Sequence, residues 1–125
     1  YFLQAAGQII KQPVALTIAT SLPFVTAHFS NSEMNRGGLW TGLTYGVLSV
    51  FLVAVTLKDN RLEFALGIHA ANNLFILLIA NSSDSSLRSP SLLTQVAFAN
   101  PQVSFLTTLI GAIAAYIFLF RDDRG

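Results

Sequence analysis

The apolar residues of this chain fall into four long runs separated by short polar breaks: Pro13 to about Phe29, Gly38 to Leu57, Leu62 to Ala80 and Val103 to Phe120. At 1.5 Å rise per residue, about 20 helical residues cross the roughly 30 Å hydrocarbon core of a bilayer, so each run predicts a membrane-spanning helix. The first run opens on Pro13, suited to a first helical turn, and carries Pro23, which removes a backbone hydrogen bond and predicts a kink just before His28. The second holds no Asp, Glu, Lys, Arg or His within its apolar stretch and follows the turn-like run Ser30 to Gly37. Between the third and fourth runs, Asn81 to Gln102 is rich in Ser, Asn and Pro and predicts an exposed loop, with Leu92 to Phe98 apolar enough to rest on the membrane interface. Upstream, Phe2, Leu3, Ala6, Ile9 and Ile10 share one helical face and Lys11 suits a helix C-terminus, which reads as the end of an earlier helix. The expected fold is all-α, a polytopic transmembrane helical bundle of four spans plus that helix end, with residues 1–125 as a single transmembrane domain.

Composition reinforces the reading. Of 125 residues, 53% are hydrophobic and only 10% charged, against roughly 25% charged in an average soluble domain. So few charges cannot cover a water-facing surface. The net charge of +1 supplies no basic field, which makes nucleic acid an unsuitable partner and the bilayer the expected one. Without Cys there is no disulfide, thiolate metal site or cysteine nucleophile. The opening on Tyr1, with Met34 the single methionine, leads us to expect a longer natural chain.

Four spans would place Lys11, Lys58, Arg61, Arg121 and Arg124 on one side and Arg36 and Arg88 on the other, so the positive-inside rule puts the Lys58–Arg61 loop in the cytoplasm. The expected location is the plasma or inner membrane. Gly38, Gly42 and Gly46, and the pairs Gly67 with Ala71 and Gly111 with Ala115, predict faces where helices approach closely.

Polar groups within lipid are costly unless partnered, so the informative ones are few. His69 and Asn73 are four apart and share a helical face, whereas Asn72 points about 100° away, toward a neighbouring helix. His28 closes the first run, with Phe24 one turn before it. Two His on separate helices admit a metal site, a pair of haem ligands, or donors and acid–base groups around a hydrolytic water. Zinc needs a third protein ligand, and no carboxylate sits within a span: Glu33, Asp59 and Glu63 lie in or beside loops. A bland alternative has the His and Asn side chains merely tying helices together.

Phe24-Val25-Thr26-Ala27-His28 and His69-Ala70-Ala71-Asn72-Asn73 resemble, in order and spacing, the second and third motifs of the CPBP intramembrane proteases. That family comprises CAAX-processing endopeptidases, bacteriocin-processing and abortive-infection proteins. Its first motif, Glu-Glu-x-x-x-Arg, runs into a Gly-Tyr-Leu-Leu-Gln-like stretch, which the opening Tyr1-Phe2-Leu3-Gln4 resembles. The resemblance implies the C-terminal part of a protease domain that hydrolyses a peptide bond of a membrane protein or peptide at or within the bilayer. A glutamate upstream of Tyr1 would activate water, and His28, His69 and Asn73 would orient it and stabilise the oxyanion, leaving the present segment inactive alone. No cofactor is required in that scheme; if a divalent metal such as Zn takes part, His28 and His69 become ligands. The readings outside the family are a non-catalytic membrane scaffold or immunity protein, and a bis-His haem protein.

The run boundaries leave one conflict. His28 lies at the far end of its span and His69 about eleven residues from the same face, roughly 17 Å by helix rise. We expect a shifted helix or the Pro23 kink to bring both imidazoles to one cavity.

Overall fold

The computed structural model describes residues 2–83, 85–95 and 100–121, with the backbone alone at Arg36. Tyr1, the apolar stretch at 96–99 and the tail from 122 onward, all invoked above, lie outside the described residues. Helix α1 is Phe2–Ile9, α2 Pro13–Ala27, α3 Gly38–Asp59, α4 Leu62–Leu78 and α5 Pro101–Leu119; a 3-10 turn occupies Ser32–Arg36. Lys11 donates through Nζ to the Gly7 carbonyl at 3.0 Å, closing α1 as a C-terminal cation should. Gln12 then caps α2 by accepting from the Ala15 amide, with Pro13 in the first turn.

Helix α3 is the hub, packed against α2, α4, α5 and the 3-10 turn, while α1 lies on α2. Asn60, in the left-handed region at φ 55°, ends α3 and turns the chain directly into α4. Gly37 starts α3 at φ 155°, and a Cβ there would lie 3.0 Å from Pro101 Cγ, so both backbone and space call for glycine. That contact, with Trp40 stacking on Phe105 at 5.5 Å, sets the first turns of α3 and α5 side by side. Lys58, Arg61 and Arg121 therefore share one end of the bundle with Lys11, while the 3-10 turn and the loop after α4 share the other.

The packing is inverted relative to a water-soluble protein. Thr20, Ser21, Ser49, Asn81 and Ser85 are buried, whereas the apolar core is Leu16, Val55 and Ala65, and Leu39, Ile110 and Phe118 stand on the outside. Two of the buried hydroxyls find backbone partners, Thr20 donating to the Leu16 carbonyl at 2.8 Å and Ser49 reaching across to the Ser21 carbonyl at 3.5 Å, whereas the Ser21 hydroxyl has none. Small polar residues between helices and large apolar ones outside are what a lipid solvent selects. Helices α3 and α5, of 22 and 19 residues, are long and apolar enough to cross a membrane. The other two expected spans are apolar but shorter, at 15 residues in α2 and 17 in α4.

Three expectations change. The loop after α4 is not wholly irregular: β1 (Ala80–Ser82) pairs in parallel with β2 (Leu93–Gln95), Asn81 opposite Thr94. The ladder begins where α4 ends, since the Leu92 and Leu93 amides donate to the Leu78 and Ile79 carbonyls at 3.0 and 2.8 Å and satisfy groups the helix leaves open. The glycines do not mark close helix crossings. A Cβ on Gly42 would meet the side chains of Met34 and Phe29 at 3.7 and 3.8 Å, and one on Gly46, Gly67 or Gly111 would meet nothing within 4 Å. Finally, α2 runs unbroken through Pro23 and ends at Ala27, before His28.

Candidate functional site

His28 is the C-terminal cap of α2 and is half-buried. Its ring turns back along the helix, as side chains there do, and Nδ1–H donates to the Phe24 carbonyl at 2.6 Å. A carbonyl only accepts, so a proton sits on Nδ1, and in the neutral ring Nε2 carries the lone pair. The same turn lays the imidazole on the Phe24 ring, with centroids 4.3 Å apart and planes at 30°.

His69 comes from α4 and meets that phenyl ring edge-on, at 5.5 Å and 79°. Phe24 thus touches both imidazoles, which gives the Phe of Phe-x-x-x-His a physical role. Phe24 stands between the two imidazoles, 4.3 Å from the His28 ring and 5.5 Å from the His69 ring, although α2 runs unbroken through Pro23. Asn73 Nδ2 donates to His69 Nε2 at 3.3 Å, and Asn72 Nδ2 donates to Asn73 Oδ1 at 3.4 Å. The Asn72 bond orients the Asn73 amide, so His69 accepts at Nε2 and holds its proton on Nδ1. The two rings therefore offer opposite functions: a lone pair on His28 Nε2 and an N–H on His69 Nδ1.

His69 lines two cavities. The larger, of about 860 Å³, lies among α3, α4, α5 and the strand pair, and Tyr45, Asn72, Thr94 and Thr108 also line it. The smaller, of about 680 Å³, runs from Phe24 and His69 past Phe2 and Leu3 of α1 to Lys11 and Arg61. His28 lines neither of these two, and the two imidazoles both meet the Phe24 ring. Asn73 lines neither as well; it is Asn72, expected to face another helix, that reaches the larger cavity.

Tyr45, Asn31 and Ser86 were not singled out by sequence, and Glu33 was read there only as a loop carboxylate. Tyr45 of α3 stacks on His28 at 4.6 Å and 36°, and its hydroxyl accepts from Asn31 Nδ2 at 2.9 Å. A phenol inside a span without formal charge was the available signal. Glu33 lines the larger cavity, but its carboxylate accepts from the Ser86 amide and hydroxyl at 2.8 and 2.6 Å. That pair ties the 3-10 turn to the loop after α4.

A metal or haem iron needs lone pairs from its imidazoles. The lone pair of His69 is engaged by Asn73, and among the described residues no three of His, Asp and Glu come together to hold an ion. Holding an ion at His69 Nε2 would therefore mean giving up the Asn73 hydrogen bond. Among the described residues the hydrogen bonds of His69, Asn72 and Asn73 stay within α4, while the His69 ring meets Phe24 of α2.

An apolar helical bundle of membrane character, carrying a half-buried imidazole pair and amide, defines the class. The chain belongs to the Type II CAAX prenyl endopeptidase Rce1-like family, whose profile matches residues 1–75, ending just past Asn73. That family is one of membrane-embedded, CAAX-type proteases. The uncharacterized protein YyaK of Bacillus subtilis (strain 168) is 35% identical over 126 residues, covering 99% of this chain and 42% of that protein. The chain thus spans about two fifths of the length of this relative. No solved structure matches it.

Proposed function

We propose that this chain carries the oxyanion-binding and water-orienting half of an intramembrane endopeptidase whose general base is a glutamate upstream of Tyr1. The opposed tautomers carry the reading. His28 Nε2 accepts a hydrogen from the attacking water and orients it, while the glutamate takes the proton and the water oxygen attacks the scissile carbonyl carbon. As the carbonyl oxygen gains charge, His69 Nδ1–H donates to it, joined by the second amide hydrogen of Asn73. Neutral donors serve such a site well, since they present dipoles without burying a charge in low dielectric. The first turn of α1 lines the same cavity as Phe24 and His69, which supports entry of the upstream segment beside this pair.

The substrate is a membrane protein or membrane-bound peptide, cleaved at or within the bilayer of a plasma or inner membrane. Cleavage of a membrane-anchored reporter by the full-length protein tests this. His28→Ala and His69→Ala each lower kcat by about a hundredfold or more, and replacing the upstream glutamate abolishes turnover. Normal turnover by both His variants overturns the reading. Because the scheme uses no metal, turnover continues in 1,10-phenanthroline.

A further inference from the structure

We propose that Tyr45 is a positioning residue that locks the His28 imidazole in the tautomer and orientation the reaction uses. The inference rests on the endopeptidase reading for its catalytic consequence, but not for its structural content.

The His28 ring has two aromatic neighbours at nearly the same distance: Phe24 at 4.3 Å and 30°, and Tyr45 at 4.6 Å and 36°. Two rings that close and that nearly parallel to a third cannot share one of its faces, so they take opposite faces. The imidazole is held between α2's own phenyl group and a phenol from α3. Phe24 holds one face of the ring and, through its carbonyl, the Nδ1 edge, but both holds come from the helix end that His28 itself has just left, past Ala27. Tyr45 adds the wall on the other helix, and its own hydroxyl is tethered by Asn31 Nδ2 at 2.9 Å. Asn31 in turn donates its backbone amide to the His28 carbonyl at 3.1 Å, so one short segment fixes both the phenol and the backbone of the histidine.

Rotation about the Cβ–Cγ bond of His28 would exchange Nδ1 for the ring's carbon edge at the Phe24 carbonyl and release the proton to either nitrogen. The Tyr45 ring blocks that rotation. Removing it frees the imidazole without touching the hydrogen-bonding atoms of His28, His69 or Asn73. The step affected is water orientation rather than substrate binding.

The test is nitrogen NMR of the full-length protein labelled at histidine, with His28 assigned by difference against His28→Ala, alongside reporter cleavage. For wild type, one His28 tautomer is expected, protonated at Nδ1. In Tyr45→Leu the His28 nitrogens move toward the averaged shifts of a mixed tautomer, and kcat falls about tenfold with KM unchanged, the upper end of what an aromatic pair supplies. Tyr45→Phe, which keeps the ring, restores the tautomer and brings kcat within about threefold of wild type. Where Tyr45→Leu fails to fold, Tyr45→Met offers similar bulk without a ring and carries the same expectation.

Unchanged His28 shifts and kcat in the ringless variant overturn the proposal. So does a rise in KM at constant kcat, which would make Tyr45 a substrate contact, or a failure of Tyr45→Phe to rescue. If the full-length wild type cleaves nothing, the endopeptidase reading fails, while the nitrogen spectra still decide whether Tyr45 holds His28.

Discussion

Asn73 Nδ2 lies 3.3 Å from His69 Nε2, one turn further along α4, and the proton of His69 is thereby assigned to Nδ1. An amide in this position sets the function of its neighbour: without it, His69 is free to present either nitrogen to the reacting carbonyl. Asn73→Leu should lower kcat by about a hundredfold, the scale of losing one oxyanion donor, with little change in melting temperature because the side chain is only half-buried. Adding His69→Ala should then cost little more, since the two act as one unit. Reporter cleavage by the single and double variants of the full-length protein measures both.

Phe24 joins the two imidazoles, and the prediction follows from the size of ring–ring contacts. Phe24→Leu keeps an apolar side chain but loses both aromatic pairs, each worth about 0.5–1.5 kcal/mol beyond area burial. A fall in unfolding temperature in detergent should accompany a roughly tenfold fall in kcat. A drop in stability with unchanged kcat would reduce Phe24 to a packing residue.

Ser86 ties the loop after α4 to the 3-10 turn. Its amide and hydroxyl donate to Glu33, and its hydroxyl oxygen accepts from the Ser32 amide at 2.8 Å. These bonds are exposed, so Ser86→Ala should shift global unfolding by less than about 1 kcal/mol. Locally the effect should be larger. Amide hydrogen exchange over 85–91 should quicken by about fivefold while α3 and α5 remain protected.

The helices were legible because their apolar runs and end signals are local. Pro13 and Lys11 act where the chain itself places them, and the all-α reading follows. The strand pair was not legible: it exists because Leu78 and Ile79 leave carbonyls that a segment more than ten residues later satisfies, and no periodicity records that. His69 and Asn73 share a face by spacing alone, so their contact was readable. Both imidazoles meet Phe24 without a break in α2 at Pro23, a contact between side chains of two helices that span boundaries do not record. Tyr45 was missed because its part depends on two helices meeting, and an isolated phenol in an apolar run looks like interfacial packing.

The distribution of cations along the bundle gives the last prediction. Lys11, Lys58, Arg61 and Arg121 gather at one end, and the strand pair and 3-10 turn lie at the other, separated by the 22 residues of α3, about 33 Å. If the positive-inside rule holds for the full-length protein, the first end is cytoplasmic. The segment contains no Cys, so single cysteines report cleanly once any others in the full-length protein are replaced. Glu63 and Ser83 are both exposed, Glu63 in the first turn of α4 and Ser83 just beyond the strand that follows its last turn. A membrane-impermeant maleimide added to intact cells should label Ser83→Cys and leave Glu63→Cys untouched until the membrane is opened. The reverse pattern would invert the orientation while leaving the bundle intact, and labelling of both in intact cells would show that α4 does not cross the bilayer.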